Sequence, residues 1–178
     1  KTEREFVEET IKIVEKRGFK NAETIDILKT GDKVYYLNRG KNIVLGVCSS
    51  IAVYKAAELV SKLTKLGANV YVIMTKNAKE IISERIFSSL SKNAVACDMW
   101  KDVDEWKPEH ISLAEKADIL LVSPATANTI GNFANGLAPD LLSSTFLATK
   151  AKVAIAPAMN SNMYDHPATR RNIEILKS

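Results

Sequence analysis

Four short apolar runs dominate the chain from residue 43 onward: Ile43–Val47, Val70–Met74, Ile119–Val122 and Val153–Ala156. No charged side chain interrupts any of them. A strand with one wet face alternates apolar and polar residues, whereas a strand covered on both faces reads as a continuous apolar run. Between the runs, apolar residues recur at the helical spacings of three and four. One such segment, opened by Ser49 and Ser50 and ended by Gly67, carries Ile51, Ala52, Tyr54, Leu59, Val60 and Leu63. Others start near Ala78 and span Ser83 to Leu90, Ile111 to Lys116, Ile130 to Asn135, Leu141 to Ala148 and Pro167 to Leu176. This alternation predicts an α/β fold, a parallel sheet with helices on both faces.

Sheets of this kind bind ligands beyond the carboxyl ends of their strands. A polar cluster follows each run: Cys48-Ser49-Ser50, Thr75-Lys76-Asn77, Ser123 to Thr129, and Pro157 to Asn160. Four clusters at four equivalent strand ends read as one site. Ser49 and Ser50 lie at a strand-to-helix turn, where unpaired N–H groups suit a phosphate; simple helix capping accounts for them equally. Thr75 and Asn77 either complete a phosphate cradle or cap the next helix. The small residues of Thr126, Ala127, Asn128 and Thr129 admit a flat ring, whose edge Asn128 can hydrogen-bond; a loop cap is the alternative. His110 stands before an apolar helical stretch, where it either shuttles a proton near neutral pH or serves the structure alone. Asn160 either binds a carboxylate or carbonyl or makes a turn, and Met159 either lies against a ring or fills the core. His166, next to Pro167, reads as a cap or packing residue.

Other classes of function are disfavoured. Lys and Arg number 25 against 21 Asp and Glu, a net charge of +4. These charges fall on helical faces, as at Lys62, Lys65, Lys76 and Lys79, and read as solvated surface, not as a nucleic-acid footprint. No window approaches the ~18 apolar residues of a membrane span. The opening Lys1-Thr2-Glu3-Arg4-Glu5 has no secretory-leader character. Two cysteines, Cys48 and Cys97, cannot build a disulfide framework or a zinc cluster, and a reducing cytoplasm is expected. Cys97 reads as a buried thiol. Trp100 and Trp106 flank a charged loop and suit a partner surface or core anchoring equally.

The first forty residues stand apart. A helix is expected over residues 1–17, stopped by Gly18, then irregular chain to residue 33 and a short strand, Val34–Leu37. The turn at Asn38 to Lys41 would pair that strand with Ile43–Val47 as a hairpin. In a doubly wound sheet the first strand is central and has no free edge, so residues 34–37 are expected to fold away from it.

From about Lys41 the chain resembles the FMN-binding cysteine decarboxylases, in particular the phosphopantothenoylcysteine decarboxylases. The matching stretches are Asn42 to Ala57, His110-Ile111-Ser112-Leu113-Ala114, Ser123 to Gly131, Asn135-Gly136-Leu137-Ala138 and Ala156-Pro157-Ala158-Met159-Asn160. The resemblance implies a flavodoxin-like or Rossmann-like domain that binds FMN and assembles in multiples of trimers, with flavin and substrate meeting at a subunit interface. It implies phosphate binding by Ser49, Ser50 and Ile51, helped by Thr75 and Asn77, and a flavin beside Ser123, Thr126, Ala127, Asn128, Thr129 and Met159. His110 becomes the catalytic histidine and Asn160 the ligand of the substrate carboxylate. The implied reaction converts 4'-phosphopantothenoylcysteine to 4'-phosphopantetheine in coenzyme A biosynthesis, with a synthetase domain following in bifunctional members.

Three features depart from that pattern. Ser49 stands where the family usually has glycine. The family's substrate clamp, with its proton-donating cysteine, would lie beyond Ser178, so residues 41–178 are expected to be a truncated domain. Residues 1–40 are additional. Their stretches Thr2–Phe6, Gly31–Tyr35 and Asn38–Lys41 resemble the start of aspartyl aminopeptidases, whose metal ligands have no counterpart here; a fused junction near Asn38–Lys41 would explain the hairpin conflict. A non-catalytic FMN-binding or regulatory protein, a flavin prenyltransferase and an aminopeptidase chimera are the competing readings.

Overall fold

Uninterrupted apolar sequence becomes parallel sheet. The computed structural model describes residues 3–21, 25, 27, 29–35, 41–99 and 108–177. The chain divides into two units, Lys1–Arg39 and Gly40–Ser178. In the first, α1 (Glu3–Lys16) ends at Gly18, whose φ of +84° lies in the left-handed region that glycine tolerates. Two short strands follow, β1 (Lys20–Asn21) and β2 (Val34–Tyr35), paired in parallel with each other. Strand β1 was not expected, because two residues are too few to leave a pattern. The expected strand over residues 34–37 is described only as far as Tyr35, and its partner is β1, as its exclusion from the main sheet requires.

The second unit holds β3 (Asn42–Val47), α2 (Val53–Lys65), β4 (Asn69–Met74), α3 (Lys76–Lys79), α4 (Glu84–Ser91) and β5 (Val95–Ala96). Then come α5 (Glu109–Lys116), β6 (Ile119–Ala125), α6 (Ala127–Ala134), α7 (Leu141–Ala148), β7 (Lys152–Pro157), α8 (Ser161–Asp165) and α9 (Pro167–Lys177). Among the described residues one sheet has the order β5-β4-β3-β6-β7, every pairing parallel. The four expected strands are its inner members and β7; β5 is a two-residue edge strand lost among polar neighbours. The first strand of the sheet, β3, is its centre.

Alternate residues of β3 feed two apolar cores, one on each face. Val44 and Cys48 join Leu120, Val122, Ile130, Phe133 and Leu142 beneath α5, α6 and α7. Leu45 and Val47 join Val60, Val72, Met74 and Phe87 beneath α2 and α4. Phe133 of α6 and Phe146 of α7 stack with ring centroids 3.9 Å apart, which locks these two helices together. Two boundaries differ from expectation. Helix α2 begins at Val53, not at Ser49 or Ser50: residues 49–52 form a turn closed by Val53 N–H donating to Ser50 O, and the N-cap Ala52 offers no side-chain acceptor. Strand β6 runs on through the cis Ser123-Pro124 bond to Ala125, with a shift of register against β7 between Val122 and Ala125. Trp100, Trp106 and Asn38–Gly40 lie outside the described residues. Among those described, no helix is long and apolar enough to cross a membrane, and no group of three or more His, Cys, Asp or Glu is placed to hold a metal ion.

Candidate functional site

Three hydrogen bonds join the carboxyl ends of the sheet strands into a continuous ledge. Thr75 N–H, after β4, donates to Val47 O at 3.0 Å; Cys48 N–H, after β3, to Pro124 O at 3.2 Å; and Ala158 N–H, after β7, to Ala125 O at 2.9 Å. A cavity of about 360 Å³ opens on this ledge, within the ~300–1,000 Å³ span of small-molecule sites. Ser49 after β3, Thr75 and Asn77 after β4, and Thr126–Thr129 after β6 all line it. Three of the four expected clusters, separated by up to fifty residues of other structure, thus converge on one cavity; the fourth, Pro157 to Asn160, does not line it.

The lining is rich in polar groups. Thr126 caps α6, accepting from Thr129 N–H at 3.4 Å, so the loop-cap reading of this residue is realised alongside its place on the cavity. Thr129 Oγ1 donates to Cys48 Sγ at 3.2 Å. Burial pushes the Cys48 thiol up; bonds from Thr129 and the Thr126 backbone oppose that, and the charge of Asp140 adds to it. Thr75 Oγ1 differs: it is buried, makes no cap bond to α3, and has no hydrogen-bond partner among the described residues. A buried hydroxyl without a partner costs about 1–3 kcal/mol, a cost that a ligand atom in the cavity would remove.

Two lining residues, Asp140 and Met163, have no place in the sequence expectations, and a third, Lys76, enters them only as a member of its polar cluster, without a binding role. The charge pattern assigns Lys76 to a solvated face, yet it sits between two residues of the cradle. Asp140 precedes Ser143 by three and forms a reciprocal capping box at the start of α7, a pattern that was readable. The loop before it is shaped by Gly136, whose φ of +65° allows Leu137 N–H to return to Asn132 O at 2.9 Å. Met163 comes from α8, a five-residue helix with no clear periodicity.

Other expected residues do not line the cavity. Ser50 is half-buried, its Oγ accepting from Ala52 N–H at 3.4 Å, and Ile51 is 88% exposed on the same turn. Ser123 is half-buried within β6. Met159 packs against the core under α6 and α7, the filling role. Asn160 caps α8, Oδ1 accepting from Asn162 N–H at 2.9 Å. His166 caps α9 through Nδ1, which accepts from Ala168 N–H at 3.2 Å. Cys97 is half-buried, not buried, because its edge position leaves Sγ donating to Glu84 Oε2 at 3.4 Å, beside the Lys79–Glu84 ion pair.

His110 is in the first turn of α5, with Nδ1 buried and without a partner among the described residues. Its distance along the fold follows from the other end of the helix. Asp118, after α5, exchanges two bonds with Asn42 at the start of β3: Asn42 N–H to Oδ2 at 2.7 Å, and Asp118 N–H to Asn42 O at 2.9 Å. Eight helical residues rise ~12 Å from that anchor, so His110 stands at the carboxyl-rim end of the sheet.

A family model described as Flavoprotein matches residues 32–178. The chain belongs to the Flavoprotein family. The match begins about nine residues earlier than the resemblance near Lys41 suggests, taking in β2 of the first unit. Within the Flavoprotein family, 136 residues are 51% identical to the coenzyme A biosynthesis bifunctional protein of Bacillus subtilis, covering 76% of this chain and 34% of that protein. The chain therefore spans about a third of the length of that relative. A probable phosphopantothenoylcysteine decarboxylase of Streptococcus mutans is 45% identical over 139 residues, covering 77% of this chain and 78% of that one. The crystal structure of the FMN-dependent cysteine decarboxylase SpaF aligns with a TM-score of 0.74 at 29% identity, over 79% of this chain and 81% of that one. The expected flavodoxin-like α/β fold is thereby established.

Proposed function

We propose that residues 41–178 bind FMN on the carboxyl ledge and decarboxylate the cysteine of 4'-phosphopantothenoylcysteine, a step in coenzyme A biosynthesis. The observation that carries this reading is the convergence of Ser49, Thr75, Asn77 and Thr126–Thr129 on one cavity. The residues fit the cofactor. Hydroxyl and amide donors suit a phosphate, the buried Thr75 Oγ1 lacks a partner among the described residues, and Ala127 leaves room for a flat ring. The similarity to the decarboxylase of Streptococcus mutans supports the substrate class.

When bound, FMN supplies the two-electron oxidation of the substrate thiol that makes loss of carbon dioxide feasible, and the return of those electrons. The chain's own residues hold and orient. Ser49, Ser50 and the Ile51 turn, with Thr75 and Asn77, receive the phosphate; Ser123, Thr126, Ala127, Asn128 and Thr129 border the ring, with Met159 behind them. His110 moves a proton at the reacting carbon, and Asn160 directs the carboxylate through its Nδ2–H₂, which the cap bond to Oδ1 does not use. The reading includes a cytoplasmic, trimer-based assembly, with a synthetase domain following in a longer chain, and treats residues 1–40 as an appendage.

The test is the visible spectrum of the purified protein, followed by a single-turnover assay. Yellow protein with oxidised-flavin absorbance, releasing carbon dioxide from the substrate, is expected. Colourless protein that takes up no added FMN refutes the reading. Retained FMN with no turnover favours a non-catalytic binder. A second expectation isolates one contact. Thr75→Val removes a buried hydroxyl without a partner, so the ligand-free protein should melt at a higher temperature while FMN affinity falls about tenfold. Calorimetry and fluorescence titration read the two opposite signs; equal affinity would remove Thr75 from the cradle.

A further inference from the structure

Among the described residues two charged side chains line the cavity, one of each sign, Lys76 and Asp140. The remaining lining is neutral: hydroxyls, amides, Ala127 and Met163. Lys76 is exposed and follows Thr75 directly. Asp140 is half-buried and fixed by its capping box, in which Oδ1 accepts from Ser143 N–H at 2.8 Å and from Ser143 Oγ at 2.5 Å. Both bonds fall on the same oxygen. Among the described residues Oδ2 accepts no hydrogen bond, and it is the oxygen available to a ligand.

We propose that Lys76 and Asp140 are opposite poles that orient the ligand and select a phosphorylated one. The dianionic phosphate lies at the Lys76 pole, beside Ser49 and Thr75; hydroxyl or N–H donors of the same ligand face Asp140 Oδ2. The inference rests on the flavin reading and deepens it, by assigning a direction and a basis for choosing FMN over riboflavin. Reversal would press a phosphate against a carboxylate, and would leave the donors of the ligand facing an ammonium group that cannot accept. Among the described residues the lining between the poles is neutral.

The experiment titrates the ligand-free protein with FMN and with riboflavin by flavin fluorescence, at low and high salt. Wild type should prefer FMN, with the preference shrinking as salt screens it. Lys76→Gln should weaken FMN about tenfold, a modest figure because an exposed charge is screened, and leave riboflavin unchanged. Asp140→Asn keeps an oxygen for Ser143 but offers N–H₂ where an acceptor is needed, so both flavins should weaken by a similar factor. Asp140→Ser retains a capping oxygen and serves if the first variant melts early; it too should weaken both. Tighter FMN in either Asp140 variant would put the phosphate at the wrong pole and overturn the assignment. So would a Lys76→Gln variant that weakens both flavins alike or neither. Wild type that binds both flavins with equal affinity overturns the polarity alone, whereas wild type that binds neither overturns the flavin reading itself.

Discussion

Replacing His110 with asparagine should lower carbon dioxide release by at least the ~10²–10⁴-fold typical of a lost acid–base group, while FMN stays bound. Asparagine keeps a donor and an acceptor of similar reach, but it cannot carry a proton near neutral pH. The side chain stands in the first turn of α5 and does not itself line the cavity, so the cofactor should stay bound without it. Helix α5 is anchored at its far end by the paired Asp118–Asn42 bonds, so the substitution should leave the helix in place. Single-turnover release and the flavin spectrum are measured on the same sample. Undiminished release would remove His110 from the chemistry. Loss of the flavin spectrum would make it a residue of the cofactor site instead.

The second large effect concerns stability. Gly46 is the one residue of β3 without a side chain, and Leu142 of α7 fills the space above it. A Cβ on Gly46 would lie 2.5 Å from Leu142 Cδ1 and 2.9 Å from Cδ2. Leu142 is 1% exposed and has no open side to move into. Gly46→Ala should therefore cost about 1–3 kcal/mol, the range for overpacked cores. For a chain of this size each kcal/mol lowers the melting temperature by roughly 2–4 °C. Pairing it with Leu142→Ala should cost less than the sum of the two single changes, because the cavity left by one receives the methyl of the other. An additive pair, or an unshifted melting temperature for Gly46→Ala, would show that α7 yields freely. Such yielding matters for the site, since α7 begins at Asp140.

The legible parts of this fold are those where the physics is local. Strands β3, β4 and β6 are continuous apolar runs because each is paired on both edges and largely covered; β7 departs from the expectation of two covered faces, since it is an edge strand exposed at five of its six residues although its sequence is as apolar. Strand β5 and strand β1 have two residues each, too few for any period, and only their neighbours make them strands. The start of α2 was misjudged for a different reason. Serine is a good cap, but here Ser50 spends its carbonyl and hydroxyl on a turn, and Ala52 takes the cap position. At the site, hydroxyls and amides at strand ends were readable from topology alone. Asp140 follows a helix and a glycine turn, so it reaches the cavity through α7 and not from a strand end. Met163 reaches it from a five-residue helix beyond β7. Neither arrival is visible without the packing of α6, α7 and α8. Asn160 shows the limit of residue-type reasoning: both of its readings, ligand and cap, use the same side-chain amide, and the cap is the one the geometry displays.

The ledge formed by Thr75, Cys48 and Ala158 has a consequence for how the protein persists in a cell. Each of its bonds crosses from one strand end to another, so peeling away any of those strands dismantles the binding surface. A molecule held there is linked to the native state by mass action and adds about 2.7 kcal/mol when present at a hundred times its dissociation constant. The occupied protein should then resist unfolding, and with it proteolysis, longer than the empty one.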